Sequence, residues 1–200
     1  FDTIYHEHFS YFSFFIIQKI FFSQALTIFD VEEISTHGGS LRIFVKHSKN
    51  KTYEIKESVE NLIKKEKEFG LHDFSTYLDF SKKAQNIKKE LNDFLEKSHL
   101  EGRSVVCYGA PAKGNTLLNY CRISPDQIEY TVDLSPHKQG LFLPGTHLPI
   151  KSPLIIKETK PDYIIILPWN LKDEIMEQMK DIKEWGGKFV IPIPEVKIYS

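Results

Sequence analysis

Short apolar runs alternate with segments of helical periodicity throughout residues 103–200. The runs predict strands at residues 104–108, 128–133, 163–167 and 188–191, and the segments between them predict helices at residues 113–120, 153–159 and 171–185. Strands that alternate with helices are typical of a parallel sheet covered by helices on both faces. We therefore predict an α/β protein in which residues 103–200 form a Rossmann-like domain.

Residues 1–48 predict a smaller arrangement of one helix and two strands. The helix is expected over residues 12–24, with Ser13 as its N-cap. Two runs rich in β-branched and apolar residues follow, Leu26–Ile34 and Ser40–Lys46, and the glycine-containing link at 36–39 favours an antiparallel pair. Because two strands are too few to be stable alone, we expect other strands of this sheet in preceding sequence.

Residues 49–102 are rich in charge, with Lys balanced by Asp and Glu. Apolar side chains recur at helical spacing up to about Gly70 and again from about Asp73. The charges are those of solvated helix faces, so we predict a helical connector between the first zone and the Rossmann-like domain.

Composition excludes several classes of protein. Apolar residues make up 41% of the chain and charged residues 26%, which is a globular composition, and the net charge is −1. So balanced a charge predicts neither nucleic acid nor a membrane surface as the partner. The two cysteines, Cys107 and Cys121, cannot form a disulfide framework or a four-ligand zinc site, and we expect a cytoplasmic protein without a metal site. Because the sequence opens on Phe1 inside an apolar run, we also expect it to be a fragment of a longer protein.

A glycine-rich turn directly follows the first strand of the Rossmann-like domain. It runs from Gly109 to Asn115 and opens the next helix, so its N–H groups and the helix dipole could face an anion. Lys113 adds a positive charge, and Gly114 allows a close approach of the backbone. The turn matches neither a Walker A loop nor a complete G-x-G-x-x-G motif. We predict phosphate or diphosphate binding here, and the alternative is a tight turn that binds nothing.

Polar residues after the later strands extend the same edge of the sheet. Asp133 follows the second strand, where Rossmann folds hold a ribose hydroxyl, and Lys138 comes five residues later. Trp169 and Asn170 follow the third strand. Trp169 could stack on a base or simply close the core. We include all four residues in the predicted ligand site.

The densest ionisable cluster of the chain is Tyr5-His6-Glu7-His8. A carboxylate beside an imidazole can orient the ring and raise its basicity, as a general base requires. The spacing lacks the i, i+4 pair of a helical zinc motif. The alternative is a histidine-rich surface turn. A second turn, His37-Gly38-Gly39-Ser40, could approach a ligand or merely join two strands.

Taken in order, these segments resemble one family, the S-adenosylmethionine-dependent sugar C-methyltransferases. The resemblance rests on YHEHFSYFS (5–13), HGGSLR (37–42), YGAPAKGNTLLN (108–119), VDLSPHKQGLFLPGTH (132–147) and LPWN (167–170). It covers essentially the whole chain. It implies that residues 1–48 end a methyltransferase domain and that residues 103–200 are the C-terminal domain. The glycine-rich loop for S-adenosylmethionine and the zinc-binding region would then lie in N-terminal sequence absent from this chain.

The resemblance also implies a chemistry and a substrate, a nucleotide-linked deoxyketosugar. A base removes the proton beside a ketone, and the enolate takes the methyl group of S-adenosylmethionine. His8 is the expected base, Tyr5 the group that stabilises the enolate oxygen, and Glu7 the residue that orients the base or holds the sugar. Alongside the residues predicted after the strands, Gly39, Ser40 and Arg42 of the HGGSLR segment are expected to contact the substrate. The alternative is a Rossmann-like nucleotide-binding module without chemistry of its own.

Overall fold

The structure is a computed structural model that describes residues 1–35 and 39–200. The predicted link between the first two strands and the His37-Gly38 turn therefore lie outside the described residues, apart from Gly39. The chain divides into two compact units: unit 1 comprises Phe1, residues 3–5 and residues 83–200, and unit 2 comprises Asp2 and residues 6–82. The boundary falls inside helix α3 (Phe74–Leu100), so the predicted helical connector is shared between the two units.

Unit 2 is built from two helices and an antiparallel strand pair. Its elements besides the first part of α3 are α1 (Phe14–Ser23), β1 (Leu26–Ile34), β2 (Ser40–His47) and α2 (Glu57–Phe69). The strands pair from Leu26 with His47 to Ile34 with Ser40, which confirms the predicted antiparallel pair. Apolar side chains from both helices and β1 form a small core: Phe14, Ile28, Val31, Val59 and Leu62.

The N-terminus of α1 is capped twice. Ser13 is the N-cap as predicted, and its hydroxyl accepts a hydrogen bond from Ile16 N at 3.3 Å. The buried carboxylate of Glu66, on α2, accepts from Phe14 N at 2.6 Å and from Phe15 N at 2.9 Å. These amides have no acceptor within the helix, and the negative charge lies at the positive end of the helix dipole. Glu66 therefore ties the start of α1 to α2.

Unit 1 is a parallel sheet with helices packed on it. Its elements after α3 are β3 (Val105–Tyr108), α4 (Ala112–Cys121), β4 (Thr131–Val132), β5 (Ile150–Lys151), α5 (Ile155–Thr159), β6 (Tyr163–Ile166), α6 (Lys172–Gln178), β7 (Lys188–Ile191) and β8 (Lys197–Tyr199). The strand order is β5-β4-β3-β6-β7-β8, with every neighbouring pair parallel except β7 and β8. Apart from the antiparallel last strand this is the order of a doubly wound Rossmann sheet, so the predicted α/β class is confirmed.

Three details of the predicted elements of unit 1 are wrong. The second strand was expected over residues 128–133, but its ladder spans Thr131–Val132, although Glu129 N already donates to Val105 O at 3.0 Å. The helix expected over 171–185 is a short α-helix between two 3₁₀ segments, because apolar spacing over one or two turns does not distinguish the two helix types. Strands β5 and β8 were not predicted, since each is only two or three residues long.

Candidate functional site

The sheet of unit 1 has a crevice at the carboxyl ends of β3 and β6. From β3, the following strands β4 and β5 are added on one side of the sheet, and β6, β7 and β8 are added on the other. Open α/β sheets bind ligands at such points because the loops of the two neighbouring strands diverge there. The crevice holds about 220 Å³. Its walls are the turn after β3, the loop after β4, Pro168 and one face of α6.

Asp133 lies in this crevice, and its carboxylate closes the glycine-rich turn. Oδ2 accepts from Ala110 N at 2.8 Å and from Lys138 Nζ at 3.1 Å, and Oδ1 accepts from Ser135 N at 2.9 Å. Burial by itself would raise the pKa of Asp133, but the hydrogen bonds from these two amides and the Lys138 ammonium lower its pKa below the ordinary value. Asp133 is therefore an anion at neutral pH, and its oxygens hold the turn. The predicted contact with a ribose hydroxyl stays a prediction.

Each of the two positions in the turn is glycine because a side chain there would clash with a neighbour, and the neighbour differs between them. Gly109 has φ +90°, and a Cβ on it would lie 2.6 Å from Pro168 Cδ, so the turn passes directly beneath the proline ring. Gly114 is buried in α4, and a Cβ there would lie 2.7 Å from Leu167 Cβ. It lets the helix approach the end of β6. Close packing accounts for both glycines, and ligand contact by either stays a prediction.

The structure brings together three residues that were predicted from two separate segments. Lys113 Nζ, on the first turn of α4, donates to Asn170 Oδ1 at 2.5 Å and lies 4.4 Å from the ring centroid of Trp169. Trp169 is 8% exposed and packs in the core of unit 1, so the packing alternative accounts for it, and base stacking stays a prediction. Asn170 is exposed. The Lys113–Asn170 pair therefore puts a cation and an exposed amide side by side where α4 begins.

The remaining predicted residues of this edge have contacts inside the fold. The Lys138 ammonium also donates to Ala110 O at 3.1 Å, so it ties the loop after β4 to the turn after β3. Asn115 receives a hydrogen bond from Asn119 Nδ2 at its backbone oxygen, 2.8 Å away. Asn119 Nδ2 in turn donates to Pro144 O at 3.0 Å, which holds the loop that follows Lys138. All these contacts lie within unit 1.

The predicted catalytic cluster is divided between the two units. Tyr5 belongs to unit 1 and is half-buried, whereas Glu7 and His8 belong to unit 2 and are exposed. Glu7 lies 3.8 Å from His6 Nε2, with both side chains largely in solvent, and the ring of His8 lies edge-on to Tyr11 at 6.5 Å. The catalytic roles of Tyr5, Glu7 and His8 stay predictions.

Of the three predicted residues of the HGGSLR segment, Ser40 and Arg42 lie on β2 of unit 2, and Gly39 directly precedes this strand. Gly39 is exposed with φ +126°, a conformation that suits glycine, and Ser40 begins β2 opposite Ile34. Arg42 is exposed and donates to Glu32 Oε2 at 3.1 Å across the strand pair. This cross-strand ion pair is a sufficient structural role for Arg42.

Several crevice residues were not predicted. Glu174 and Gln178, on α6, face the crevice, and Gln178 Nε2 donates to Glu174 Oε1 at 2.9 Å. Tyr108, the last residue of β3, also lines it. Burial raises the pKa of Tyr108, and the negative charges of Asp133 and Glu174 raise it further, so the phenol keeps its proton. Glu174 and Gln178 are spaced i, i+4 on a helix that follows β6, and this spacing is the sequence feature that could have predicted a polar pair facing the crevice.

Two negative findings concern the described residues alone. No three His, Cys, Asp or Glu side chains within residues 1–35 and 39–200 are grouped as metal ligands would be. Among the helices of the same residues, none is both long enough and apolar enough to cross a membrane.

Comparison with known proteins places these units in a family. Residues 35–194 match the C-methyltransferase C-terminal domain family. The whole chain is 35% identical over 200 residues to the C-methyltransferase NovU of Streptomyces niveus, and it spans 47% of the length of that relative. Among solved structures, UDP-D-quinovosamine 4-dehydrogenase from Vibrio fischeri aligns with 49% of this chain and 93% of its own, at 18% identity and a TM-score of 0.36.

The predicted resemblance is confirmed by the family match and by the relative. The family match extends over β2 and α2 of unit 2 as well as most of unit 1, so it includes the second strand of the pair and the crevice, and it begins just after β1. The chain accordingly belongs to the C-methyltransferase C-terminal domain family.

Proposed function

We propose that this chain is the C-terminal portion of a C-methyltransferase and that unit 1 binds its substrate, a nucleotide-linked ketosugar. The observation that carries the proposal is the crevice where β3 and β6 diverge, with the Lys113–Asn170 pair at the start of α4. A diphosphate needs a cation and N–H donors, whereas a nucleoside and a sugar need apolar walls with a few polar groups. Unit 1 offers both kinds of surface.

The diphosphate is expected at the first turn of α4 rather than in the turn that precedes it. Gly109 N donates to Val132 O at 2.6 Å, Ala110 N donates to Asp133, and Pro111 has no N–H, so the turn itself has little left to offer an anion. The first hydrogen bond inside α4 runs from Asn115 N to Pro111 O. The amides of Ala112 and Gly114 precede it, at the positive end of the helix, next to the Lys113 ammonium.

S-adenosylmethionine, which the family implies as methyl donor, does not fit the residues present. A donor of that kind needs an open glycine-rich turn and an acidic side chain available to its ribose. Here the turn lies beneath Pro168, and the Asp133 carboxylate is committed to Ala110, Ser135 and Lys138. We expect the isolated chain not to bind S-adenosylmethionine, and micromolar affinity by calorimetric titration would contradict this.

The chemistry proposed for the chain's own residues is proton removal. In the full-length enzyme His8 takes the proton from the carbon beside the ketone, Glu7 orients the imidazole or holds the sugar, and Tyr5 donates to the enolate oxygen. Histidine suits the step because its ordinary pKa lies nearest to neutral pH. The methyl donor supplies the methyl group.

Binding of uridine or thymidine diphosphate to this chain tests the ligand site. Because Lys113→Ala removes a charge-assisted contact, we expect it to weaken binding by about 1–3 kcal/mol, which is roughly 5- to 150-fold. Lys180→Ala, which changes an exposed lysine that follows α6 and pairs with Glu177 at 2.8 Å, is the matched control and is expected to change affinity little. Unchanged affinity of the Lys113 variant would mean that the first turn of α4 does not hold the diphosphate.

The alternative, a nucleotide-binding module without chemistry, is supported by the fact that the crevice lies entirely within unit 1. The two proposals differ in the full-length protein. If it exchanges the acidic proton of a nucleotide-linked ketosugar with deuterated water, the enzyme proposal is correct, and binding without exchange or methyl transfer supports the module.

A further inference from the structure

Helix α4 makes a second set of contacts that the proposed diphosphate site does not use. The hydroxyl of Thr116 donates to Ile4 O at 2.7 Å, and the ring of Tyr120 meets that of Phe1 edge-on at 5.2 Å. Ile4 directly precedes Tyr5, and the 3–5 segment belongs to unit 1 together with α4. The first residues of the chain are thus fastened to this helix.

The helical spacing places these contacts in line with the proposed diphosphate site. Lys113, Thr116 and Tyr120 are related as i, i+3 and i+7, so they form one stripe along α4. Leu117, Leu118 and Cys121 are buried in the core of unit 1. Thr116 lies three residues after Lys113, which is about 4.5 Å further along the axis. In a nucleotide sugar the sugar is bonded directly to the diphosphate, so a segment fastened one turn away from Lys113 is within its reach.

The contact with Ile4 is more than a helix-internal bond of Thr116. The hydroxyl also lies 3.1 Å from Ala112 O, the carbonyl one turn earlier, which is where a helical threonine ordinarily donates. The distance to Ile4 O is shorter. A hydroxyl has one proton, and here the geometry directs it toward the incoming segment.

We propose that Thr116 and Tyr120 are positioning residues, which fasten Phe1 and the 3–5 segment to α4 and so hold Tyr5 beside the sugar of a nucleotide sugar bound at Lys113. This inference rests on the proposed function and adds to it the means by which the substrate-binding helix locates a catalytic side chain. Neither residue touches the substrate. Both act through the backbone that carries Tyr5.

The first experiment uses this chain and needs no methyl donor. Hydrogen–deuterium exchange is measured for peptides from residues 1–12 and from β3 and β6. Thr116→Val removes the bond to Ile4 O, so we expect faster exchange in the N-terminal peptide and unchanged exchange in the strands. Thr116→Ser keeps the hydroxyl and is expected to behave as the parent. If Thr116→Val leaves the N-terminal peptide unchanged, the segment is not fastened by this residue and the proposal is wrong.

The second experiment separates positioning from stability in the full-length enzyme. Thr116→Val is expected to lower kcat about three- to tenfold, as for the loss of one neutral hydrogen bond, while the dissociation constant for the nucleotide sugar stays unchanged and Thr116→Ser restores kcat. Thr159→Val, on α5, is the matched control, because the Thr159 hydroxyl likewise has a helix-internal bond, to Ile155 O at 3.0 Å, and a bond to another segment, with the Tyr130 hydroxyl at 2.5 Å. It is expected to leave kcat unchanged.

The outcomes distinguish this inference from the proposed function. If Lys113→Ala leaves nucleotide affinity unchanged, the proposed function fails at the binding site itself. If Lys113→Ala weakens binding but Thr116→Val keeps the parent kcat, the binding site is correct and the positioning role is wrong. If Thr116→Val weakens binding and leaves kcat unchanged, Thr116 contributes to the ligand site, which also overturns the positioning role.

Discussion

The two units differ in how far each buries its own apolar side chains. In unit 1, β3 and β6 are buried along nearly their whole length, and their core continues through the helices on the sheet. Among its described residues unit 2 has five buried apolar side chains, and it leaves Phe9, Phe22 and Phe74 exposed by 94%, 73% and 75%. A two-stranded sheet with so small a core gains little from burial. Unit 1 is therefore expected to be the more stable of the two.

The proposed functions are divided along the same line. The crevice and the Lys113–Asn170 pair lie on unit 1, whose sheet fixes the ends of β3 and β6. Glu7 and His8 lie on unit 2, in an irregular and exposed segment. Substrate binding and Tyr5 are thus assigned to the part with the larger core, and the proposed base His8 with Glu7 to the part with the smaller one. Regions of low local stability are where moving functional segments are usually found.

The largest expected effect tests this division at His8. In the full-length enzyme His8→Ala should lower kcat by about 10²- to 10⁴-fold, the usual contribution of a general base, and leave nucleotide-sugar affinity nearly unchanged. Exchange of the acidic sugar proton with deuterated water, without methyl donor, measures the step directly. His6→Ala is the control and should have a much smaller effect. Normal exchange in the His8 variant, with exchange lost in the His6 or Glu7 variant, would move the base to one of those residues.

A second prediction concerns the close contact between the glycine-rich turn of unit 1 and the Pro168 ring. Gly109→Ala adds a methyl group against the Pro168 ring at a positive φ, and should lower the free energy of unfolding by about 2–4 kcal/mol. Gly140 has a similar φ of +84° with nothing within 4 Å of an added Cβ. Gly140→Ala should therefore cost only the backbone strain, about 1–2 kcal/mol. Equal losses in urea denaturation would mean that Pro168 does not press on the turn.

A third prediction concerns the cap that unit 2 places on α1. Glu66→Ala removes a buried acceptor from two amides and should cost about 1–3 kcal/mol. Glu68, on the same helix, is exposed and pairs only loosely with Lys64 at 3.8 Å, so Glu68→Ala should change stability by less than about 0.5 kcal/mol. Hydrogen exchange should rise in α1 and leave β3 and β6 unchanged. Faster exchange in β3 would show that the units do not unfold separately.

The smallest expected effect is a pH dependence in unit 1. The pKa of Asp133 is lowered in the folded state, so its contribution to stability is present above the ordinary aspartate pKa of about 3.9 and is lost as the pH falls through the lowered value. The Ala110 and Ser135 amide protons, followed by NMR, should shift only below about pH 4. In Asp133→Asn this titration should disappear. A midpoint above the ordinary value would show that burial outweighs the hydrogen bonds.

Most of the fold followed from local sequence patterns. The alternation of apolar runs with helical segments predicted the parallel sheet, and Ser13 and Gly70 were correctly assigned to a helix start and a helix end. Strands β5 and β8 could not be predicted in this way. Both are short. Each is a strand because it pairs with the edge of a neighbouring strand, β5 with β4 and β8 with β7, and this pairing exists only in the assembled sheet.

For the candidate site, the sequence determined which residue types follow each strand, because the carboxyl ends of parallel strands meet at one edge. It therefore placed Gly109, Lys113, Asp133 and Asn170 on that edge without knowledge of their contacts. Only the tertiary structure decided which atoms each side chain meets: the Asp133 carboxylate binds the amides of its own turn, and Lys113 reaches Asn170. It alone brought Ile4 to Thr116, 112 residues away along the chain. Contacts of this kind depend on how helices and strands pack against one another. The periodicity of a sequence predicts which face of a helix or strand is buried, but it does not predict which other element packs against that face.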